Sequence, residues 1–268
     1  MKKYVNLFVF VFMVGTCFSQ GKAQTKSAVS YKNPVVDIAM PDPTVIKAAD
    51  GYFYVYATES TRNVPIMKSK NLVQWTYCNT AFTNKTRPRF EPKAGIWAPD
   101  INYINNKYVL YYAMSVWGGE QTCGIGVATA DSPQGPFTDH GKMFRSNEIG
   151  VQNSIDPSFL QYEGRNYLVW GSFRGIYVIE LTEDGLSLKP GAEKKRIAGT
   201  AFEAAYIHKH GDYYYMFASI GSCCRGVEST YKVVVGRSKK VWGPYKDKSG
   251  KPMLKNGYSL VIGANDHF

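Results

Sequence analysis

Residues 153–173 read NSIDPSFLQYEGRNYLVWGSF. A carboxylate beside proline opens the stretch, a Glu163-Gly164 turn divides it, and an aromatic-rich run at 167–172 closes it. Two short apolar runs around a glycine turn mark a β-hairpin, because glycine supplies the positive φ that the turn needs. The same pattern occurs three more times. Asp42-Pro43-Thr44 leads through Asp50-Gly51 to residues 52–58, and Pro99-Asp100-Ile101 leads through Asn105-Asn106 to residues 108–115. Glu203-Ala204-Ala205 leads through His210-Gly211-Asp212 to residues 213–219. The carboxylates at 42, 100, 156 and 203 lie 58, 56 and 47 residues apart. Self-similarity at such a period is the sequence mark of stacked units such as propeller blades. A propeller aims equivalent positions of every blade at one central channel. The expected fold is therefore all-β, a β-propeller, with four acidic side chains gathered in one site.

Working outward, a second signature closes the outer part of the units. Residues 68–75 end in Trp75, Gly135-Pro136-Phe137 ends the next unit, and Trp242-Gly243-Pro244-Tyr245 ends the fourth. An aromatic after a Gly-Pro turn is expected to pack against the neighbouring blade. No convincing long amphipathic helical pattern interrupts the strands, and no linker divides residues 33–268, which read as one propeller domain. A chain of 268 residues, rich in Tyr, Phe and Val and punctuated by 25 Gly and 13 Pro, suits many short strands joined by tight turns.

Residues 1–24 read as a signal peptide: Lys2 and Lys3 precede a short apolar run that small and polar residues follow. A polar lead-in, 25–32, comes next. The expected location is secreted or periplasmic. An outer-membrane lipoprotein anchored through Cys17 is the alternative, and membrane contact is expected only in that case. The formal charge of +11 falls to +8 when the leader's three lysines are removed. A basic surface favours anionic partners. Nucleic acid is excluded as a partner by export and by the lack of a basic block or binding motif. Five cysteines are too few for a disulfide scaffold, and the spacing of Cys and His does not suit zinc. The vicinal Cys223-Cys224 reads either as a redox-labile bond or as two small buried residues.

Asp42, Asp156 and Glu203 carry the chemistry. A lone Asp-Pro is usually a turn former. Two of them and an equivalent Glu, each opening an apolar inner strand, point to a shared site. Carboxylates crowded together cannot all ionise freely, so their pKa values spread. Such a spread supplies the acid and the base of glycoside hydrolysis. Surface acids at blade edges, or a cation site, are the alternative readings.

The runs Pro41-Asp42-Pro43, Gly95-Ile96-Trp97-Ala98-Pro99-Asp100, Asn153-Ser154-Ile155-Asp156-Pro157 and Phe202-Glu203-Ala204-Ala205 resemble glycoside hydrolase family 43. The stretches at 221–226 and 229–238 are similar to its endo-1,5-α-L-arabinanase branch. The resemblance spans about 33–268. It implies a five-bladed propeller that hydrolyses arabinan-type glycosides with inversion. Motif by motif, Asp42 falls at the general base, Asp156 at the residue that orients and tunes the acid, and Glu203 at the general acid. An inverting pair needs a gap of roughly 6.5–9.5 Å for water. Asn153, Ser154, Ser172 and Phe173 match places that line the family's substrate cleft. Trp97 falls where a ring stacks on sugar or packs between blades, and Asp100 takes a supporting place in substrate binding.

In the family, a later Gly-Pro-Gly-His-Asn segment holds an axial ion, commonly calcium. The chain stops at Phe268 short of it, and His267 does not take that histidine's place, so no metal ligand and no cofactor is assigned to the residues present. Residues 258–268 read as the opening of a fifth blade that is otherwise missing. A fragment of a longer reading frame accounts for that better than a degraded relative, since the three catalytic positions are intact. The expected activity is hydrolysis of α-1,5-L-arabinan, internally. The rivals are an exo-acting arabinofuranosidase or β-xylosidase and a non-catalytic carbohydrate-binding propeller.

Overall fold

The structure, a computed structural model, describes residues 30–263. The expected leader, its cleavage site, Cys17 and His267 lie outside the described residues. Among the described residues, four antiparallel sheets of four strands follow one another along the chain. Blade 1 holds β1(Thr44–Lys47), β2(Phe53–Tyr56), β3(Pro65–Ser69) and β4(Thr76–Thr80). Blade 2 holds β5(Gly95–Ile104), β6(Lys107–Ser115), β7(Gly124–Ala130) and β8(Thr138–Arg145). Blade 3 holds β9(Ser158–Tyr162), β10(Arg165–Trp170), β11(Ile176–Glu180) and β12(Lys195–Ala198). Blade 4 holds β13(Glu203–His210), β14(Tyr213–Ile220), β15(Lys232–Ser238) and β16(Ser259–Ile262). Each sheet is a plain meander, and the first strands β1, β5, β9 and β13 meet in succession around the ring.

The turns follow from the residues at their tips. Asn105 and Asn106, like Glu163 and Gly164, all have positive φ, the pair of left-handed residues that a two-residue hairpin needs to match strand twist. Burial between neighbouring blades then holds the ring. Tyr54, Tyr56, Phe82, Tyr112 and Phe137 form one cluster between blades 1 and 2. Val109, Tyr111, Phe144 and Trp170 join blades 2 and 3, and Val169, Phe202, Met216 and Tyr245 join blades 3 and 4. Phe137, from the Gly-Pro turn, meets Tyr56 of blade 1 edge to face, with ring centroids 6.1 Å apart. Each such ring taken out of water contributes roughly 1.5–3 kcal/mol.

Two expectations need correction. The Gly-Pro-aromatic signature does not end a blade. Trp75 directly precedes β4 and Phe137 directly precedes β8, so the signature marks the passage from third to fourth strand. For the same reason residues 259–262 do not open a fifth blade. They form β16, paired antiparallel with β15 as the outer strand of blade 4. The edge of β15 offers unpaired backbone groups, and the chain beyond Tyr245 returns to satisfy them.

The feature that positions the site recurs in every blade. Between the first two strands, two residues oppose one. Trp97 pairs with Ala113 and Asp100 with Tyr111, leaving Ala98-Pro99 opposite Tyr112. Glu203 pairs with Ser219 and Tyr206 with Phe217, leaving Ala204-Ala205 opposite Ala218. In blade 1, Thr58 N–H donates to Pro41 O at 2.9 Å while Thr44 pairs with Tyr56, so Asp42-Pro43 is the extra pair. In blade 3, Gly171 N–H donates to Ile155 O at 3.0 Å and Ser158 pairs with Val169, which sets off Asp156-Pro157. The first residue of each pair is left-handed: Asp42 at φ 49, Ala98 at 39, Asp156 at 58 and Ala204 at 51. These are four copies of one β-bulge, a device that re-aims side chains beside active sites.

Candidate active site

The bulges correct the alignment read from sequence. By backbone, Asp42, Ala98, Asp156 and Ala204 are equivalent. Asp100 lies two places after its bulge residue, and Glu203 lies one place before. All four carboxylates nevertheless line one open cavity of about 1530 Å³ on the ring axis. Charge reaches across it, since Asp42 and Glu203 both act on Asp156.

Each acid is held differently. Thr58 Oγ1 donates to Asp42 Oδ2 at 2.5 Å and itself accepts from the Ala98 N–H at 2.7 Å. With its lone pair engaged by that amide, the hydroxyl's one proton is directed at the carboxylate. Asp156 Oδ2 accepts from the Ala204 N–H at 3.2 Å. Burial, then the charges of Glu203 and Asp42, push the Asp156 carboxyl well above the usual range, against the pull of that amide. Glu203 is buried. Ser172 Oγ donates to its Oε2 at 2.6 Å and Tyr231 O–H to its Oε1 at 2.7 Å. Burial first, with Asp42's charge added, raises its pKa, and the two hydroxyls oppose the rise. Two carboxyls biased toward their protonated forms share an open cavity with a third, which is the arrangement an acid–base pair needs.

The remaining expected residues divide. Ser172 and Asn153 line the cavity, yet they form a support for Glu203. Asn153 Nδ2 donates to Ser172 Oγ at 2.9 Å and to Ser172 O at 3.2 Å. A carbonyl only accepts, so that second bond fixes which way the amide faces. Ser154 is fully buried away from the cavity: it donates to Val151 O at 2.7 Å and accepts from Trp170 Nε1 at 3.1 Å. It follows the left-handed Asn153 (φ 56) in a turn before β9, closed by Ile155 N–H donating to Asn153 O at 3.0 Å. Phe173 lines the cavity. Trp97 does too, and its ring centroid lies 5.5 Å from that of Trp117, which is 78 % exposed on the rim.

Asp100 reaches the cavity wall, but its oxygens are engaged in joining blades. Oδ2 accepts from Phe159 N at 2.7 Å and Asn102 Nδ2 at 2.8 Å, and Oδ1 from Thr44 Oγ1 at 3.4 Å. Burial nonetheless pushes its pKa up to about 6. Among the described residues, no group of three or more His, Cys, Asp or Glu could hold a metal ion.

Sequence reasoning missed Thr58, Trp117 and Tyr231. Thr58 ends an aromatic strand and Tyr231 follows the vicinal cysteines. Neither carries a local signal, because each meets its acid only through strand pairing. Cys223 and Cys224 are disulfide-bonded and line the cavity, while Cys78 and Cys123 are free.

The model of the family Glycosyl hydrolases family 43 matches residues 31–266. The extracellular endo-α-(1→5)-L-arabinanase 1 of Bacillus subtilis is 38% identical over 85% of this chain and 73% of its own length. The extracellular exo-α-(1→5)-L-arabinofuranosidase ArbA of Cellvibrio japonicus is 34% identical over 84% of this chain and 71% of its own. Among solved structures, the α-L-arabinanase of Cellvibrio cellulosa in complex with arabinohexaose superposes with a TM-score of 0.76, at 33% identity, covering 84% of this chain and 79% of that one.

Proposed function

This chain belongs to glycosyl hydrolases family 43, and we propose that it hydrolyses α-1,5-linked L-arabinan internally, with inversion at the anomeric carbon. The observation that carries the reading is the convergence of Asp42, Asp156 and Glu203 from three blades on one cavity, with Glu203 and Asp156 biased toward their protonated forms. Glu203 gives its proton to the glycosidic oxygen as the bond to the anomeric carbon breaks. Asp42 takes a proton from the water that attacks the opposite face of that carbon. Asp156 stands beside Glu203 and tunes it, since the charges of the two acids repel and both cannot ionise freely at once.

Internal cleavage is supported by the Bacillus subtilis relative and by the cavity, which exceeds the roughly 300–1,000 Å³ of ordinary small-ligand pockets. Trp97 and Trp117 are placed to stack on sugar rings along it. Export is supported by the leader pattern and by the extracellular relatives. A fifth blade belongs to the same reading, closing the ring beside the exposed Leu260 and Val261 of β16.

The test is reducing-end release from linear α-1,5-L-arabinan by the wild type and by Glu203→Gln, with products resolved by size. Oligosaccharides from the wild type alone are expected. Arabinose alone would replace internal cleavage with the exo action named for the Cellvibrio japonicus relative. Saturable arabinan binding with no new reducing ends would leave a binding propeller.

A further inference from the structure

Glu203 is gripped from two sides, and the two grips differ in kind. Behind Ser172 stands the Asn153 amide, a fixed donor. Behind Tyr231 stands Ser219, which lines the same cavity and pairs with Glu203 across β13 and β14. The phenol precedes β15 and is placed by the pairing of Ile220 with Lys232. The loop before it is closed by Thr230 N–H donating to Ser222 O at 3.0 Å and Ser222 N–H donating to Thr230 Oγ1 at 3.0 Å, and it carries the Cys223–Cys224 bond. Strand pairing and the closed loop thus place Tyr231 as a donor aimed at one oxygen of the acid.

We propose that Tyr231 is a positioning residue for the acid, occupying Glu203 Oε1 opposite Ser172 so that the carboxyl is locked in rotation and its acidic proton is presented to the cleft. The inference rests on the assignment of Glu203 as general acid. Burial, and then the charge of Glu203, push the phenol pKa far up, so Tyr231 remains a donor throughout the working range. A hydrogen bond to the ionised carboxylate favours that form. Its loss leaves Glu203 holding its proton to higher pH.

The experiment is the pH profile of arabinan hydrolysis by the full chain and by Tyr231→Phe. The expected result is a kcat lower by about tenfold to a hundredfold, a KM changed by less than about twofold, and a basic limb displaced upward by about one pH unit with the acid limb in place. A basic limb that stays where the wild type has it overturns the proposal, whatever happens to kcat, because a purely structural role lowers activity without moving that limb.

Should Tyr231→Phe fail to fold, Tyr231→Met takes its place. That side chain also lacks the hydroxyl that donates to Glu203 Oε1, and a shift in the same direction is expected. An unmoved limb in that variant overturns the proposal equally. A wild type that releases no sugar defeats the functional reading instead. The titration midpoint of Glu203, read from its carboxyl ¹³C shift in labelled protein, then decides the matter: higher in Tyr231→Phe supports the proposal, unchanged defeats it.

Discussion

Blades 1 and 3 place an aspartate at the left-handed bulge position; blades 2 and 4 place an alanine there. The backbone is the same in all four. A left-handed residue other than glycine costs about 1–2 kcal/mol, and the chain accepts that cost four times, twice for residues with no chemistry of their own. The alanine blades still take part. The Ala204 N–H holds Asp156 directly, and the Ala98 N–H holds Asp42 through Thr58. At the bulge position itself, the aspartates thus supply carboxylates and the alanines supply the amides that seat them. The bulge belongs to the architecture, and the side chain upon it decides the function.

The comparison breaks most visibly at the acids. Asp42→Asn and Glu203→Gln are each expected to lower kcat on arabinan by about 10³-fold or more with the melting temperature nearly kept. Near-normal turnover in either variant would remove that residue from the mechanism. Asp156→Asn is expected to lose about 10²-fold. With one of two mutually repelling acids gone, Glu203 ionises earlier, so the basic limb moves to lower pH, the direction opposite to Tyr231→Phe.

Thr58→Val separates the two ways of seating an acid. It strips the donor from Asp42 and leaves the Ala98 amide unpartnered, for an expected loss of about tenfold in kcat and about 1–3 kcal/mol in stability. Blade 4 has no such intermediary, and Asp156 keeps its amide.

Asp100 sharpens the contrast within blade 2. Its pKa of about 6 lies above the ordinary 3.8, so the folded state binds its proton more tightly than the unfolded state. Its contribution is therefore full below pH 4 and is lost as pH rises through about 6, at most about 3 kcal/mol. The fall in stability from pH 4 to 6, followed by urea denaturation, should shrink in Asp100→Asn. The smallest effect is reserved for the alanine blades. Ala98→Gly and Ala204→Gly should keep activity and gain up to about 1 kcal/mol, since glycine is at ease at positive φ.

The strands were legible because aromatic runs and Gly or Asn turns sit where the hairpins need them: the runs at 108–115 and 213–219 match β6(Lys107–Ser115) and β14(Tyr213–Ile220) to within one residue. The register of the site was less so. Alanine says nothing of φ in a sequence, so aligning the repeats on their carboxylates placed Asp100 and Glu203 in the slots of Ala98 and Ala204. Convergence survived the error because neighbouring positions of a bulge all border the same cavity. Tyr231 was invisible for another reason: it lies 28 positions from Glu203 and reaches it only when β15 pairs with β14.

For an engineer, Ala98 and Ala204 are spare sockets. Both border the cavity and share the backbone that aims Asp42 and Asp156 into it. Histidine, cysteine or a further carboxylate introduced there would enter a ring of four pre-aimed side chains without any redesign of the main chain. The scaffold could in this way be given ligands for a catalytic metal, or an anchoring point for a synthetic cofactor, at two positions whose present task is only to lend an amide.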